Sequence, residues 1–237
     1  MAIGRRSTAA LAYVAGVSIV AVVCALILWR SEGPAASLIV FVVLTGLGTL
    51  AHAYPVQGFR HQAYQVTLPF IVVAGAIMNT WQLVTFIVLI HLAEQARVRR
   101  PFHIQWFNVC NFFLSAALAA AFYHQATALL PDGALGEVAA ALAAGCTFVL
   151  LNRALLGAVL WLARGLSPLA SGLFRPELLA ADLIIAWIAG PMLVLTLEAG
   201  PWMLLATAGP LLLARVALSA LLERREERMH PVEARAA

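Results

Sequence analysis

The chain has 237 residues, of which 63% are hydrophobic and 11% are charged, and its formal net charge is +4. Soluble globular proteins carry roughly 25% charged residues, so this composition excludes an ordinary soluble domain and favours an integral membrane protein. The positive charge does not indicate nucleic-acid binding, because the basic residues lie in short connections where they set membrane orientation. All of them are arginine, and the absence of lysine excludes a retinal or pyridoxal Schiff base and a Walker-type phosphate loop.

Eight apolar stretches follow one another along the sequence, and we interpret each as a transmembrane helix of an all-α bundle. A helix needs about 20 residues to cross the hydrocarbon core of a bilayer, and all but the third and fourth stretches reach that length. The predicted spans are Thr8–Trp29, Ala35–Tyr54, Tyr64–Met78, Trp81–Gln95, Gln105–Leu129, Leu135–Leu162, Pro176–Leu197 and Pro201–Leu222.

The third and fourth spans form one apolar run that is interrupted mainly at Asn79-Thr80. One helix from Val66 to Ala93 would cover about 40 Å, which exceeds the hydrocarbon core of about 30 Å. We therefore predict two short helices with a tight turn at Asn79-Thr80. A re-entrant hairpin is the alternative.

The arginines are sorted to alternate connections, which predicts the orientation of the bundle. One set of connections and termini carries Arg5, Arg6, Arg60, Arg97, Arg99, Arg100, Arg164, Arg175, Arg224, Arg225 and Arg228. The opposite connections carry Arg30 with Glu32, then Asp132 with Glu137, then Glu198. This positive-inside pattern predicts that both termini are cytoplasmic and that the protein is a multi-pass protein of a bacterial inner membrane. Residues 1–222 then form the transmembrane domain, and residues 223–237 form a short charged cytoplasmic tail.

Polar residues within the spans concentrate at the cytoplasmic ends. His91 and Glu94 are three residues apart and share a face of span four, and Asn108 and Asn111 do the same on span five. The short connection predicts antiparallel packing, so the two faces can meet in one seam that binds a ligand or a partner. A histidine in that seam would make binding sensitive to pH between about 5 and 8. The alternative is hydrogen bonding between helices together with side chains that extend to the headgroups, which is also our interpretation of His52.

Arg153 and Asp182 are the deepest opposite charges, on spans six and seven. Ionisable groups are costly within a membrane and usually have partners there. We predict that these two residues form a structural ion pair.

No motif indicates catalysis or metal binding. Two histidines four residues apart around a glutamate, the zinc-protease spacing, do not occur, and neither does a nucleophile elbow, a rhomboid-like serine motif or a paired-aspartate motif. His91 with its neighbour Glu94 is predicted to be a structural histidine. We therefore expect no enzyme, no metal and no cofactor.

The segment from Trp81 to His124 carries a resemblance to a known kind of protein. A short helix closes with Glu94, an arginine-rich loop follows, and Trp106-Phe107-Asn108 opens a helix rich in small residues. This resembles the multi-helix N-terminal membrane regions of bacterial signalling proteins that continue into diguanylate cyclase or HD-type phosphodiesterase domains. The resemblance implies a sensory module with Glu94 and Asn108 as the matching positions, here without an output domain.

These observations lead to three hypotheses about function. The first is a non-enzymatic membrane sensor or ligand-binding module that acts through a membrane or cytoplasmic protein partner. The second is the membrane subunit of a small-solute transporter, and the third is a structural or accessory subunit of a larger membrane complex. All three place the chain in the lipid bilayer and none involves nucleic acid.

Overall fold

The computed structural model describes residues 2–30, 33–54, 56, 57, 63, 64 and 66–213. The regular secondary structure of this part is helical apart from one pair of two-residue strands. The helices are α1 (Ala2–Arg30), α2 (Leu38–Ala53), α3 (Leu68–Ile77), α4 (Thr80–Val98), α5 (Phe102–Leu129), α6 (Ala134–Arg164), α7 (Pro176–Trp187), α8 (Ala189–Ala199) and α9 (Met203–Leu213). Strands β1 (Val56–Gln57) and β2 (Ala63–Tyr64) pair antiparallel between α2 and α3. The predicted all-helical class is confirmed, whereas the tail at 223–237 lies outside the described residues.

Four helical segments are long and apolar enough to cross a membrane. They are Thr8–Arg30, Phe102–Leu129, Ala134–Arg164 and Pro176–Ala199, the last of which combines α7 and α8. Helices α2, α3 and α9 are apolar but shorter. The membrane character is therefore supported, and among the described residues four of the eight predicted crossings are matched in both length and hydropathy.

The turn between α3 and α4 falls where the sequence predicted it. Helix α3 ends at Ile77, and the side chain of Asn79 caps α4 by accepting a hydrogen bond from the backbone N–H of Gln82 at 3.2 Å. An asparagine side chain at this position satisfies a backbone donor that the first turn of a helix leaves free. The apolar run from Val66 to Ala93 is thereby divided into two helices.

Helix α3 lies inside the bundle rather than at its edge. Every residue from Leu68 to Gly75 is buried, and the helix packs against α5, α6, α7 and α8. Its ten residues cover about 15 Å, which is half of the hydrocarbon core. A helix that is apolar on all sides is stable when protein surrounds it, and this is the environment of α3.

Contacts between helices fix their relative directions. Helices α5 and α6 are antiparallel, because Asn111 meets Asn152 near one end and Tyr123 donates a hydrogen bond to Glu137 near the other. Helices α2 and α4 run parallel. The side chain of Gln82 bonds the backbone of Ala36 at their start, and Arg97 donates to the carbonyl oxygen of Ala53 at their end, at 2.6 Å.

A break separates α7 from α8 at Ile188, three residues before Pro191. Proline lacks a backbone N–H, and its ring clashes with the carbonyl four residues earlier, which here belongs to Trp187. Pro191 therefore interrupts the helix about one turn before its own position. Gly190 has a different role, since a Cβ on it would lie 2.9 Å from a side-chain carbon of Val138 on α6.

Candidate functional site

Three helices bring polar side chains together at one end of the bundle. His52 lies in the last turn of α2, His91 and Glu94 lie on α4, and Gln105 lies in the first turn of α5. We call these four residues the histidine–glutamate cluster. The parallel arrangement of α2 and α4 brings His52 to His91, and the short connection to α5 brings Gln105 over the same turn of α4.

The ring nitrogens of the two histidines and one carboxylate oxygen form a small triangle. His52 Nε2 lies 3.1 Å from His91 Nδ1. The carboxylate oxygen Oε2 of Glu94 lies 3.4 Å from each of these nitrogens. The three atoms thus converge on one point from two helices.

Neighbouring groups hold each member of the triangle in place. His52 Nδ1 contacts Thr67 Oγ1 at 3.3 Å, at the start of α3. The second carboxylate oxygen of Glu94 bonds Nη2 of Arg100 at 3.0 Å. Phe112 on α5 lies edge-on to both imidazole rings, with centroid distances of 5.4 Å to His52 and 4.6 Å to His91.

Gln105 approaches the triangle through its amide nitrogen. Nε2 donates a hydrogen bond to the backbone carbonyl oxygen of His91 at 2.8 Å. The same atom lies 3.3 Å from His91 Nδ1 and 3.3 Å from Glu94 Oε2. The backbone carbonyl oxygen of His91 fixes the orientation of the Gln105 side-chain amide. Only the amide nitrogen can donate to it, whereas the amide oxygen in that position would face a second acceptor.

The cluster is shielded from solvent but reaches the surface at one side. His91 is 1% exposed and Glu94 is 5% exposed, whereas the side chain of Arg100 is 39% exposed. Burial of a carboxylate is costly unless it is paired and hydrogen-bonded, and Arg100 supplies the pairing charge here. Two atoms, His91 Nε2 and Gln105 Oε1, have no hydrogen-bond partner among the described residues.

Of the four predicted site residues, His91 and Glu94 belong to the cluster and the two asparagines do not. Asn111 donates from Nδ2 to Asn152 Oδ1 at 2.7 Å and therefore joins α5 to α6. Asn108 is half-buried and forms no side-chain hydrogen bond with the described part of the chain. The predicted seam of His91, Glu94, Asn108 and Asn111 thus requires correction.

Helix geometry explains this correction. Successive residues of an α-helix turn by about 100°, so Phe112 projects within about 20° of Gln105, whereas Asn111 projects about 120° away. Phe112 and Gln105 face α4, and Asn111 consequently faces α6. The face of α5 that meets α4 is therefore the face of Gln105 and Phe112, and the predicted pairing of the Asn108 and Asn111 face with span four is wrong.

Two members of the cluster, His52 and Gln105, are not predicted as site residues by the sequence. The sequence pattern is typical of an interface anchor at His52 and of the first residue of span five at Gln105. The sequence does indicate that His52 and His91 lie at a similar depth in the membrane, because both fall at cytoplasmic ends of predicted spans. Depth alone does not show that two helices separated by α3 are neighbours.

A second buried polar site joins α6 to α7. Arg153 Nε lies 3.1 Å from Asp182 Oδ2, and Arg153 Nη2 lies 2.5 Å from the same oxygen. The guanidinium also donates to the carbonyl oxygens of Leu173 and Leu178. The predicted contact between Arg153 and Asp182 is thus present. Through its two backbone bonds, Arg153 also binds the segment that connects α6 to α7, at Leu173, and the first turn of α7, at Leu178.

Comparison with known protein families, curated proteins and solved structures yields no significant match to this chain. The functional argument therefore starts from the two polar sites and from the arrangement of the helices around them.

Proposed function

We propose that this chain is a non-enzymatic integral membrane sensor or ligand-binding module, and that it acts through a protein partner. The observation that carries the proposal is the histidine–glutamate cluster, where three helices converge on buried ionisable groups. Such groups are expensive within a membrane and default to a functional role, particularly when several of them share one site. The resemblance of Trp81–His124 to membrane sensor regions points to the same function.

The position of the cluster supports signalling to one side of the membrane. Arg100 pairs with Glu94 and is partly exposed, so it connects the buried carboxylate to the surface of the bundle. A change in the charge of the Glu94 carboxylate strengthens or weakens its ion pair with Arg100. The position of the connection between α4 and α5, which carries Arg100, changes with it. A partner that contacts this connection can read that change.

We further propose eight membrane crossings with both termini cytoplasmic. The contacts between helices support alternating directions, since α2 parallels α4 while α5 and α6 are antiparallel. The side chain of Gln82 bonds Ala36, which sets the turn at Asn79 level with the start of α2. The pair of α3 and α4 then reaches the side of the membrane where α1 ends.

Charge and aromatic residues support the assignment of sides. Because the helices alternate in direction, several arginine-bearing helix ends lie at the same end of the bundle. These arginines are Arg97, Arg99, Arg100, Arg164 and Arg175. The positive-inside rule assigns that end to the cytoplasm of a bacterial inner membrane. All six tryptophans are exposed on the bundle surface. Five of them lie at ends of the predicted spans, where aromatic rings at the headgroup level stabilise a membrane protein, whereas Trp187 lies mid-span. The five are Trp29, Trp81, Trp106, Trp161 and Trp202.

A small-solute carrier subunit is the second candidate. The short buried α3 and the break between α7 and α8 favour it, because transporters build binding sites from discontinuous helices near the bilayer centre. The ionisable groups of the cluster, however, lie with α2 and α4 rather than at the α7–α8 break. This separation places the sensor proposal first.

Partner recovery separates these functions. Tagged wild type, Glu94→Gln and the exposed control Glu198→Gln are purified from native membranes in mild detergent, and copurifying proteins are identified. We expect one cytoplasmic signalling protein with the wild type and Glu198→Gln, and altered recovery with Glu94→Gln. An ATPase that copurifies with all three variants would instead identify a carrier subunit, and a fixed set of membrane proteins would identify a structural subunit.

A further inference from the structure

We propose that His52, His91 and Glu94 bind one divalent transition-metal ion of the Zn²⁺ class. The ligand atoms are His52 Nε2, His91 Nδ1 and Glu94 Oε2, which all lie within 4.8 Å of one another. This inference does not depend on a signalling role or on any partner. It replaces the interpretation of His91 as a purely structural histidine.

The triangle has the dimensions of a tetrahedral metal site. Its edges measure 3.1, 3.4 and 3.4 Å. Bonds of about 2.0–2.1 Å to Zn²⁺ place neighbouring tetrahedral ligand atoms about 3.3–3.4 Å apart. A point about 2.05 Å from all three atoms lies about 0.7 Å out of their plane, as the centre of a tetrahedron does relative to one face. The spacing of the three atoms therefore matches that of one face of a tetrahedral zinc site.

Hydrogen bonding alone accounts poorly for the same distances. N–H···O bonds are typically about 2.7–3.2 Å long, and both nitrogen–carboxylate distances exceed that range. If only one of the two nitrogens carries a proton, the lone pair of the other faces the carboxylate. If both carry protons, two N–H groups stand 3.1 Å apart with their hydrogens directed at one another. A cation at the centre instead attracts all three lone pairs.

The surrounding groups resemble the outer shell of a metal site. The second ring nitrogen of His52 contacts Thr67 Oγ1, an arrangement that orients a ligating imidazole. Arg100 holds the other carboxylate oxygen and opposes the charge of the ion, so it lowers affinity. Gln105 presents an N–H donor rather than a ligand. The fourth tetrahedral position is thus left for water or an exogenous group, whereas structural zinc sites fill all four positions with protein ligands.

The donor set selects the chemical class of the ion. Two imidazoles with one carboxylate suit Zn²⁺ and its neighbours Co²⁺, Ni²⁺ and Cu²⁺, whereas Mg²⁺ and Ca²⁺ prefer oxygen ligands only. The site lies nearest the surface at His52, whose side chain is 11% exposed while that of His91 is 1% exposed.

Metal titration of the full chain tests the proposal. Chelator-treated wild type in detergent is titrated with Zn²⁺ by calorimetry and with Co²⁺ by visible absorption, alongside His52→Gln, Glu94→Gln and the exposed control His103→Gln. We expect one Zn²⁺ per chain and the intense absorption of tetrahedral Co²⁺ in wild type and His103→Gln. Loss of either ligand should weaken binding by more than about 100-fold, since outer-shell changes alone cost about 10–100-fold. Arg100→Gln should bind more tightly than the wild type.

A variant that gains an absorption band distinguishes loss of a metal ligand from loss of folding. His52→Cys retains a ligand and should add a sulfur-to-Co²⁺ charge-transfer band that the wild type lacks. Absence of Zn²⁺ binding in the folded wild type would overturn the proposal. Equal affinity in His52→Gln and His103→Gln, or a His52→Cys protein that binds Co²⁺ without the new band, would do the same.

Discussion

At the scale of single residues, buried polar groups in this bundle are stabilised by specific partners on other helices. Arg153 illustrates this, because its guanidinium bonds Asp182 and two backbone carbonyl oxygens at once. Removal of one partner from such a pair leaves the other charge buried and uncompensated, and that loss costs more than the pair itself contributes.

Asp182→Ala should therefore destabilise the protein more than the double change of Arg153 and Asp182 to alanine. We expect a loss of about 3–5 kcal/mol for the single variant, as in other buried pairs with one partner removed. Thermal unfolding in detergent measures this, with the exposed Glu198→Ala as a control that should be near neutral. Equal losses in the single and double variants would exclude a stabilising interaction between the two side chains.

Asn111→Ala should be more destabilising than Asn108→Ala. Asn111 donates to Asn152 across the α5–α6 interface, whereas Asn108 has no hydrogen-bond partner among the described residues. Hydrogen bonds between membrane helices contribute about 0.6 kcal/mol on average and up to about 1.7 kcal/mol. Parallel unfolding curves of the two variants decide the point, and a larger effect at Asn108 would show that this residue has a partner we have not assigned.

The two polar sites show which contacts are predictable from the sequence. Arg153 and Asp182 could be paired, because they are the two deepest charges and lie on consecutive helices. Contact between His52 and His91 could not be predicted, because α2 and α4 are separated in sequence by strands β1 and β2 and by helix α3. Periodicity gives the angle between residues on one helix, but it does not give the direction in which that helix faces its neighbours.

At the scale of helices, packing depends on where small residues allow close approach. Gly48 on α2 faces Phe86 on α4, and a Cβ on it would lie 2.7 Å from the ring. Gly46 is exposed, with no atom within 4 Å of such a Cβ. Residues two apart on a helix project about 160° from each other, so Gly48 can face α4 while Gly46 points away from it.

Gly48→Ala should consequently destabilise the protein, whereas Gly46→Ala should be neutral or stabilising. Overpacking a buried interface costs about 1–3 kcal/mol, and Phe86 is fully buried and has little room to move. In contrast, alanine in an open helical position gains about 0.5–1 kcal/mol over glycine. Opposite shifts of the unfolding temperature are the expected result, and a stabilising effect of Gly48→Ala would contradict the α2–α4 contact.

Helix ends were easier to predict than helix environments. Asn79 interrupts an apolar run with a side chain that caps α4, so the break between α3 and α4 is encoded locally. The burial of α3 is not local, since it results from α5, α6, α7 and α8 surrounding it. Hydropathy reports that a segment is apolar, but it does not separate contact with lipid from contact with protein.

At the scale of the whole molecule, the number of membrane crossings depends on whether the α3–α4 pair spans the bilayer. Helix α3 is short, yet the bonds from Gln82 to Ala36 set the turn at Asn79 level with the start of α2. In the eight-crossing arrangement this turn lies outside, together with Gly33, Asp132 and Glu198. In a re-entrant arrangement it lies within the membrane, while Arg100 is cytoplasmic in both cases.

Cysteine labelling distinguishes the two arrangements. In a background with Cys24, Cys110 and Cys146 replaced by alanine, single cysteines are introduced as Gly33→Cys, Thr80→Cys and Arg100→Cys, and intact cells are treated with a membrane-impermeant thiol reagent. We expect labelling of the variants at Gly33 and Thr80, and labelling at Arg100 only after the membrane is permeabilised. Reporter fusions after Gly33, Asp132 and Glu198 should likewise read as external, and a fusion after Arg100 as internal. Protection of Thr80→Cys in intact cells, with Gly33→Cys labelled, would establish the re-entrant hairpin and reduce the number of crossings to six, because α3 and α4 would then enter and leave on the cytoplasmic side.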